Sequence, residues 1–307
     1  MQLLVLLAAV VVQSLAQSTL PPLQVTNAEL VKMSNKLRVA DENKAYRGEV
    51  TVNFQGHTNT RDTEDNAPNN FSLFVSVDPS LLQRPSYHNF LQLTDNFYRE
   101  TGVAEPRVSQ DEERREIKTF LTYALSTKPW QLLYSFLNKK KYPLAKDPNV
   151  FYQWMNQLWF AHYSRAKGKA DTSGFEHVFI GEEKKKEVSG LHNWVRYYTL
   201  ERNASENLNY MGFVIKRAAV MASVKFSWRG NLKRSGSLLF GTSPEYDMAL
   251  YTLCFLARRG RNRCKVEIDG CPLAITSYDL VQNNKVYIGT VFPTAGRSSP
   301  QCGRYIG

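Results

Sequence analysis

The chain has 307 residues, 43% of them hydrophobic and 12% aromatic, and a formal net charge of +11. This composition supports a packed core and excludes a disordered or fibrous chain, and the length suits one large domain or two modest ones. The positive balance suits a polyanionic partner, although a generally basic, soluble surface gives the same number.

Residues 3–12 are continuously apolar, too few to cross a bilayer, and small residues follow that fit a cut after Ala16. A cleaved secretory leader over 1–16 is therefore expected, with a secreted product that has no membrane partner. Residues 17–27 read as a linker. In 27–45, Leu30, Val31, Met33 and Leu37 share a helical face, and the polar stretch 47–70 reads as a loop with at most a short hairpin. Sequons at Asn70 and Asn203 offer glycosylation on the secretory route. Two stronger helices follow. One starts near Ser109 and spaces Ile117, Phe120, Leu121, Ala124 and Leu125 on one face. The other carries Phe151, Trp154, Met155, Leu158 and Trp159, with His162 continuing the stripe as a core histidine.

From about residue 174 the period changes to two. "FEHVFI" (175–180) alternates, which puts Phe175, His177 and Phe179 on one strand face and Glu176 on the other. "MGFVIKR", "ASVKFSW", "GSLLFG" and "KVYIGTVF" are likewise strand-like. "LHNWVRYYTL" has helical spacing, and "SPEYDMALYTLCFL" opens a helix with Ser243 as N-cap and Pro244 at its first position. The expected fold class is α+β: a single domain over 28–307, with a helical lobe (28–165) packed on a sheet-rich lobe (166–307). All four cysteines fall in the last fifth of the chain. Two disulfides are expected, with three connectivities open, and Cys264 with Cys271 is favoured because they close the smallest loop. Residues 211–265 hold eleven Lys or Arg against two acids, Glu245 and Asp247.

Few residues can carry chemistry. His177 and His192 lie 15 positions apart. A histidine at a helix start is biased towards its neutral form, so two histidines in different local fields can divide base and acid work near neutral pH. The expected turn "WRGNLKRSGS" between two strands presents Lys233, with Ser235 and Ser237. A cation beside a histidine pair is what RNA cleavage by the neighbouring 2′-hydroxyl needs. On spacing alone, the histidines read more readily as core or surface residues, and Lys233 as an exposed hairpin lysine. Ser237 is a candidate substrate-binding group, since its hydroxyl both donates and accepts. Ser243 has no nucleophile-elbow glycines, so N-capping explains it better than hydrolase chemistry. Glu176, Glu182 and Glu183 are carboxylates that could hold a divalent cation.

"SGFEHVFIGE", "GLHNWVRYY", "FSWRGNLKRSGS", "LFGTSPEYDMALYTLCF" and "IGTVFP", in that order, resemble the EndoU family of poly(U)-specific endoribonucleases, and the likeness extends over about 26–307. The resemblance implies an enzyme, commonly manganese-dependent, that cuts single-stranded RNA at uridylates and leaves a 2′,3′-cyclic phosphate and a 5′-hydroxyl. It places the catalytic residues on His177, His192 and Lys233, and it matches Glu176 and Glu182 to acids of the first histidine block. Thr290 and Phe292 fall on a substrate-binding Gly-Thr-x-Tyr-Pro block. Phe292 stands where Tyr is usual, so it can stack but cannot donate a hydrogen bond. A monomer is expected. The rival reading is a secreted RNA- or glycan-binding protein that relies on the basic 211–265 segment and needs no histidine.

Overall fold

The computed structural model describes residues 20–304 apart from 68–70, 98, 102–109, 166, 167, 169 and 261. The leader, Asn70 and Ser109 lie outside the described residues. The first half is mainly helical: α1 (Asn27–Val39), α2 (Pro79–Gln83), α3 (Pro85–Gln92), α4 (Gln110–Ser126), α5 (Lys128–Lys139) and α6 (Pro148–Phe160), with a small ribbon of β1 (Val50–Val52) and β2 (Phe74–Val77). The second half contains β3 (Glu182–Lys184), β4 (Glu187–Ser189), α7 (Trp194–Arg202), β5 (Leu208–Arg217), β6 (Met221–Trp228) and β7 (Asn231–Leu239). It ends with α8 (Pro244–Arg258), β8 (Cys264–Ile268), β9 (Cys271–Gln282) and β10 (Lys285–Ala295). The strands form a five-stranded sheet, β3-β4-β7-β6-β5, and a three-stranded sheet, β10-β9-β8. This is the expected α+β class. No described helix is long and apolar enough to cross a membrane.

The helix starts follow local rules. Thr26 and Glu29 form a reciprocal capping box on α1, with Thr26 N–H donating to Glu29 Oε2 at 2.8 Å. Ser243 caps α8 by accepting from Tyr246 N–H at 3.2 Å, as expected of an N-cap serine. Helix α8 is buried on every side from Pro244 to Ala257, and Trp159 of α6 donates to its Thr252 Oγ1 at 2.9 Å. An all-round buried helix sits at the centre of the core. The 17–27 stretch is docked where described: Leu20 and Leu23 are buried, and Leu23 N–H donates to the Leu256 carbonyl at 2.9 Å.

Several expectations are corrected. Residues Glu176–Ile180 form a π-helical turn, not a strand. Every side chain from Phe175 to Ile180 is buried, so alternation had no solvent face to reflect. Lys233 lies within strand β7, and the hairpin turn is at Arg229 and Gly230. His162 lies beyond the end of α6, half-buried, with Nε2 3.5 Å from Glu113 Oε1, and is not a core residue. The disulfides join Cys254 to Cys264 and Cys271 to Cys302. Cys271 pairs across the ladder with Ile268. That leaves four residues of β8, about 13 Å, between it and Cys264, beyond the roughly 7 Å that a disulfide spans.

Candidate active site

The π-helical turn is built from its own backbone. Glu176 N–H donates to Ser173 Oγ at 3.1 Å, and the turn closes with Gly181 N–H donating to the Glu176 carbonyl at 2.9 Å. Phe175 and Phe179 anchor it in the core by stacking, with centroids 5.0 Å apart. The chain then leaves through the β3–β4 hairpin, whose exposed lysine run 184–186 spans the end of β3 and the turn. It returns so that Leu191 N–H donates to the His177 carbonyl at 3.1 Å and His192 N–H to the Val178 carbonyl at 2.7 Å. These two bonds bring the histidines side by side. Gly190 makes the return possible: it has a φ of +66°, and a Cβ there would sit 1.7 Å from the His177 carbonyl oxygen.

Each imidazole is held differently. His177 Nδ1 lies 2.9 Å from Glu182 Oε2, and its Nε2 is 3.1 Å from Thr290 Oγ1. Burial pushes the His177 pKa down, and the Glu182 carboxylate opposes that. Burial pushes Glu182 up, but His177, Arg165 and a hydrogen bond from Thr172 outweigh it and hold the carboxyl below its usual range. His192 Nδ1 is 3.0 Å from the Ser237 carbonyl. A carbonyl only accepts, so Nδ1 carries the proton and the Nε2 lone pair is free. Burial, then the Lys233 charge, hold His192 well below the usual histidine range. The sequence expectation of a neutral His192 therefore holds for a different reason: desolvation and a neighbouring cation, not a helix start. Asn193, the next residue, is the N-cap of α7.

Lys233 reaches the same place because β7 bulges against β6, its register slipping between the Phe226–Lys233 and Val224–Gly236 pairs. Bulges re-aim side chains in this way. Gly236 leaves room for it, since a Cβ there would lie 3.3 Å from Lys233 Cγ. Burial lowers the Lys233 pKa to about 8 against the pull of Glu182 and Glu187, although part of the side chain stays open to the cavity.

A cavity of about 500 Å³ joins these groups, lined by His177, His192, Lys233, Ser237, Thr290 and Phe292 among others. All six residues expected from sequence therefore meet at one site. Phe292 stacks on His192 with centroids 5.4 Å apart and planes at 28°. Ser237 contributes its carbonyl to His192, and its side chain lines the cavity. Two features went unread in the sequence. Glu182 orients His177 from five residues downstream, a relation hidden while 175–180 read as a strand. Arg165 also lines the cavity, where it donates to the Tyr163 hydroxyl and the Gly289 carbonyl.

The carboxylates considered for Mn²⁺ do not converge. Glu182 is committed to His177 and Thr172, and Arg165 Nε stands 3.6 Å from it. Glu183 pairs with Arg99 at 2.7 Å, and Glu176 is buried in the π-helical turn. Among the described residues no group of three or more His, Cys, Asp or Glu could hold a metal ion. A guanidinium beside the central carboxylate is a poor neighbour for a divalent cation, so these residues do not fit manganese.

In the 211–265 segment, six of the eleven cations are engaged with polar protein groups among the described residues. Lys225 is buried against Asp62 at 2.9 Å, Arg229 pairs with Glu206 at 3.2 Å, and Arg259 pairs with Asp279 at 3.2 Å. Arg217, Arg234 and Arg258 donate to backbone carbonyls. Asn203 is exposed beyond α7, where its side chain accepts from Ser205.

The sequence matches the family described as Endoribonuclease XendoU over residues 29–293. It is 38% identical to a bovine protein named uridylate-specific endoribonuclease over 87% of this chain and 65% of the relative. The human protein of that name is 36% identical, with 87% and 66% covered. The chain thus spans just under two thirds of these relatives. A Xenopus laevis poly(U)-specific endoribonuclease-B is 34% identical over 87% of this chain and 94% of its own length. The solved structure of XendoU, described as a splicing-independent snoRNA-processing endoribonuclease, superposes with a TM-score of 0.74 at 32% identity. That match covers 90% of this chain and all of the other. With both sequence and fold matched over nearly the whole described chain, the protein belongs to the XendoU endoribonuclease family.

Proposed function

We propose that the protein is a secreted endoribonuclease that cuts single-stranded RNA at uridylates through the neighbouring 2′-hydroxyl. The observation that carries this reading is the opposite setting of two histidines on one cavity, one held by a carbonyl and one by a carboxylate, with Lys233 beside them. His192, neutral with its Nε2 free, takes the 2′-OH proton as O2′ attacks phosphorus. The P–O5′ bond breaks, and O5′ takes a proton from Nε2 of His177, whose charged form Glu182 supports against burial. The products are a 2′,3′-cyclic phosphate and a 5′-hydroxyl. Lys233 stabilises the added charge on the phosphorane oxygens. Phe292 offers a ring for the base, Ser237 a hydroxyl to read uracil, and Thr290 a hydroxyl at His177 Nε2. Manganese stimulation is implied by resemblance alone, and no step here is routed through a metal. The apolar leader, the exposed Asn203 sequon and the two disulfides support the secretory route.

The test is a single-uridine oligonucleotide incubated with wild type and with His177→Ala, His192→Ala and Lys233→Ala. Wild type should yield cyclic-phosphate ends, with each variant slower by at least about 100-fold. Equal cleavage by wild type and the histidine variants would sink the assignment.

A further inference from the structure

Strands β9 and β10 extend the catalytic face beyond the cavity. Thr290 pairs with Tyr278 and Phe292 with Thr276 in antiparallel register. Residues paired in this way project from the same face, with Cβ atoms about 5 Å apart. The alternating residues Val291 and Ser277 face the core, 0% and 4% exposed. Tyr278 therefore stands on the face that presents Thr290 to His177, one strand further out, yet it is 51% exposed. Its side chain has no ring or hydrogen-bond partner among the described residues.

A bulge fixes this placement. The register slips between Ile288 and Thr290, and a Cβ on Gly289 would lie 3.1 Å from the Tyr278 carbonyl oxygen. Arg165 donates to the Gly289 carbonyl, and Lys184 Nζ donates to the Arg165 carbonyl at 3.1 Å. A guanidinium therefore sits at the bulge next to the Thr290–Tyr278 pair, with Lys184 held on Arg165. An exposed aromatic near a guanidinium matches how single-stranded RNA is held, with bases stacked on rings and the backbone along positive charge.

We infer that Tyr278 is the stacking platform for the nucleobase next to the cleaved uridylate, a second base subsite outside the main cavity. The inference rests on the ribonuclease reading above. It is tested with two single-uridine pentanucleotides, one with adenines on both sides of the uridine and one with abasic sites there. Values of kcat/KM are compared in wild type, Tyr278→Phe and Tyr278→Ala. Wild type and Tyr278→Phe should prefer the base-bearing substrate by about 5- to 150-fold, the worth of one stacked base. In Tyr278→Ala that ratio should fall to near one. If Tyr278→Ala keeps the wild-type ratio, or loses the same factor on both substrates, the subsite is overturned. His177→Ala run in parallel separates the two readings: a wild type that cuts neither substrate faster than this variant rejects the ribonuclease assignment, and the subsite with it.

Discussion

Ser237 offers His192 a carbonyl, and Glu182 offers His177 a carboxylate. The carbonyl fixes a tautomer and favours a positive charge too weakly to offset burial and Lys233, whereas the full charge of the carboxylate opposes burial directly, so two identical side chains sit in different fields. Lys233 adds a pH signature. Its pKa of about 8 means that the ammonium is present below pH 8 and is lost as pH rises through that value. The free enzyme's kcat/KM should therefore fall above about pH 8. Lys233→Arg, whose guanidinium stays charged, should move that limb to higher pH while lowering the maximum. A pH–rate profile of both proteins checks this, and an unmoved limb would remove Lys233 as its source.

At the scale of elements, the site depends on a π-helical turn and a glycine return sealed by two backbone hydrogen bonds. Such turns recur at functional sites because the extra residue widens the backbone and redirects a side chain. Gly190 is the narrowest point. Gly190→Ala forces a Cβ into the His177 carbonyl at an unfavourable φ, so it should cost about 2 kcal/mol or more of stability. Activity should be lost even at temperatures where the variant stays folded. Thermal unfolding read beside cleavage rate tests this; full activity in a stable variant would contradict the contact.

Across the whole molecule, the start of α8 gathers buried acids. Burial first, then the nearby Asp41 charge, raise Glu245 to about 7 from an ordinary 4.5, and Asp41 and Asp247 are also raised. Ser86 and Asn43 donate to the Glu245 carboxyl. With a raised pKa, the folded state keeps a proton that the unfolded chain gives up above pH 4.5. Stability therefore falls as pH rises from 4.5 to about 7, by roughly 3 kcal/mol from this group. Glu245→Gln cannot ionise, so it should raise Tm by several degrees at pH 8 and change it little at pH 5. A gain of the same size at both pH values would show that the proton is not the cause.

Local signals were enough for the start of α8 and the α+β class, and the family resemblance pointed to six residues that line one cavity. Thr26 and Ser243 accept from backbone N–H groups, Pro244 leaves no N–H unpaired at its helix start, and ordered motifs point to His177, His192 and Lys233. What the sequence could not decide involved partners distant along the chain or faces without solvent. The 175–180 turn is buried all round, so alternation carried no information there. The Cys254–Cys264 and Cys271–Cys302 pairings depend on the β8–β9 register, and Tyr278 acquires its place only through the ladder opposite Thr290. Glu182 reaches His177 because the turn closes at Gly181. Residue type limits the chemistry a side chain can do, and tertiary packing decides which of those chemistries meet.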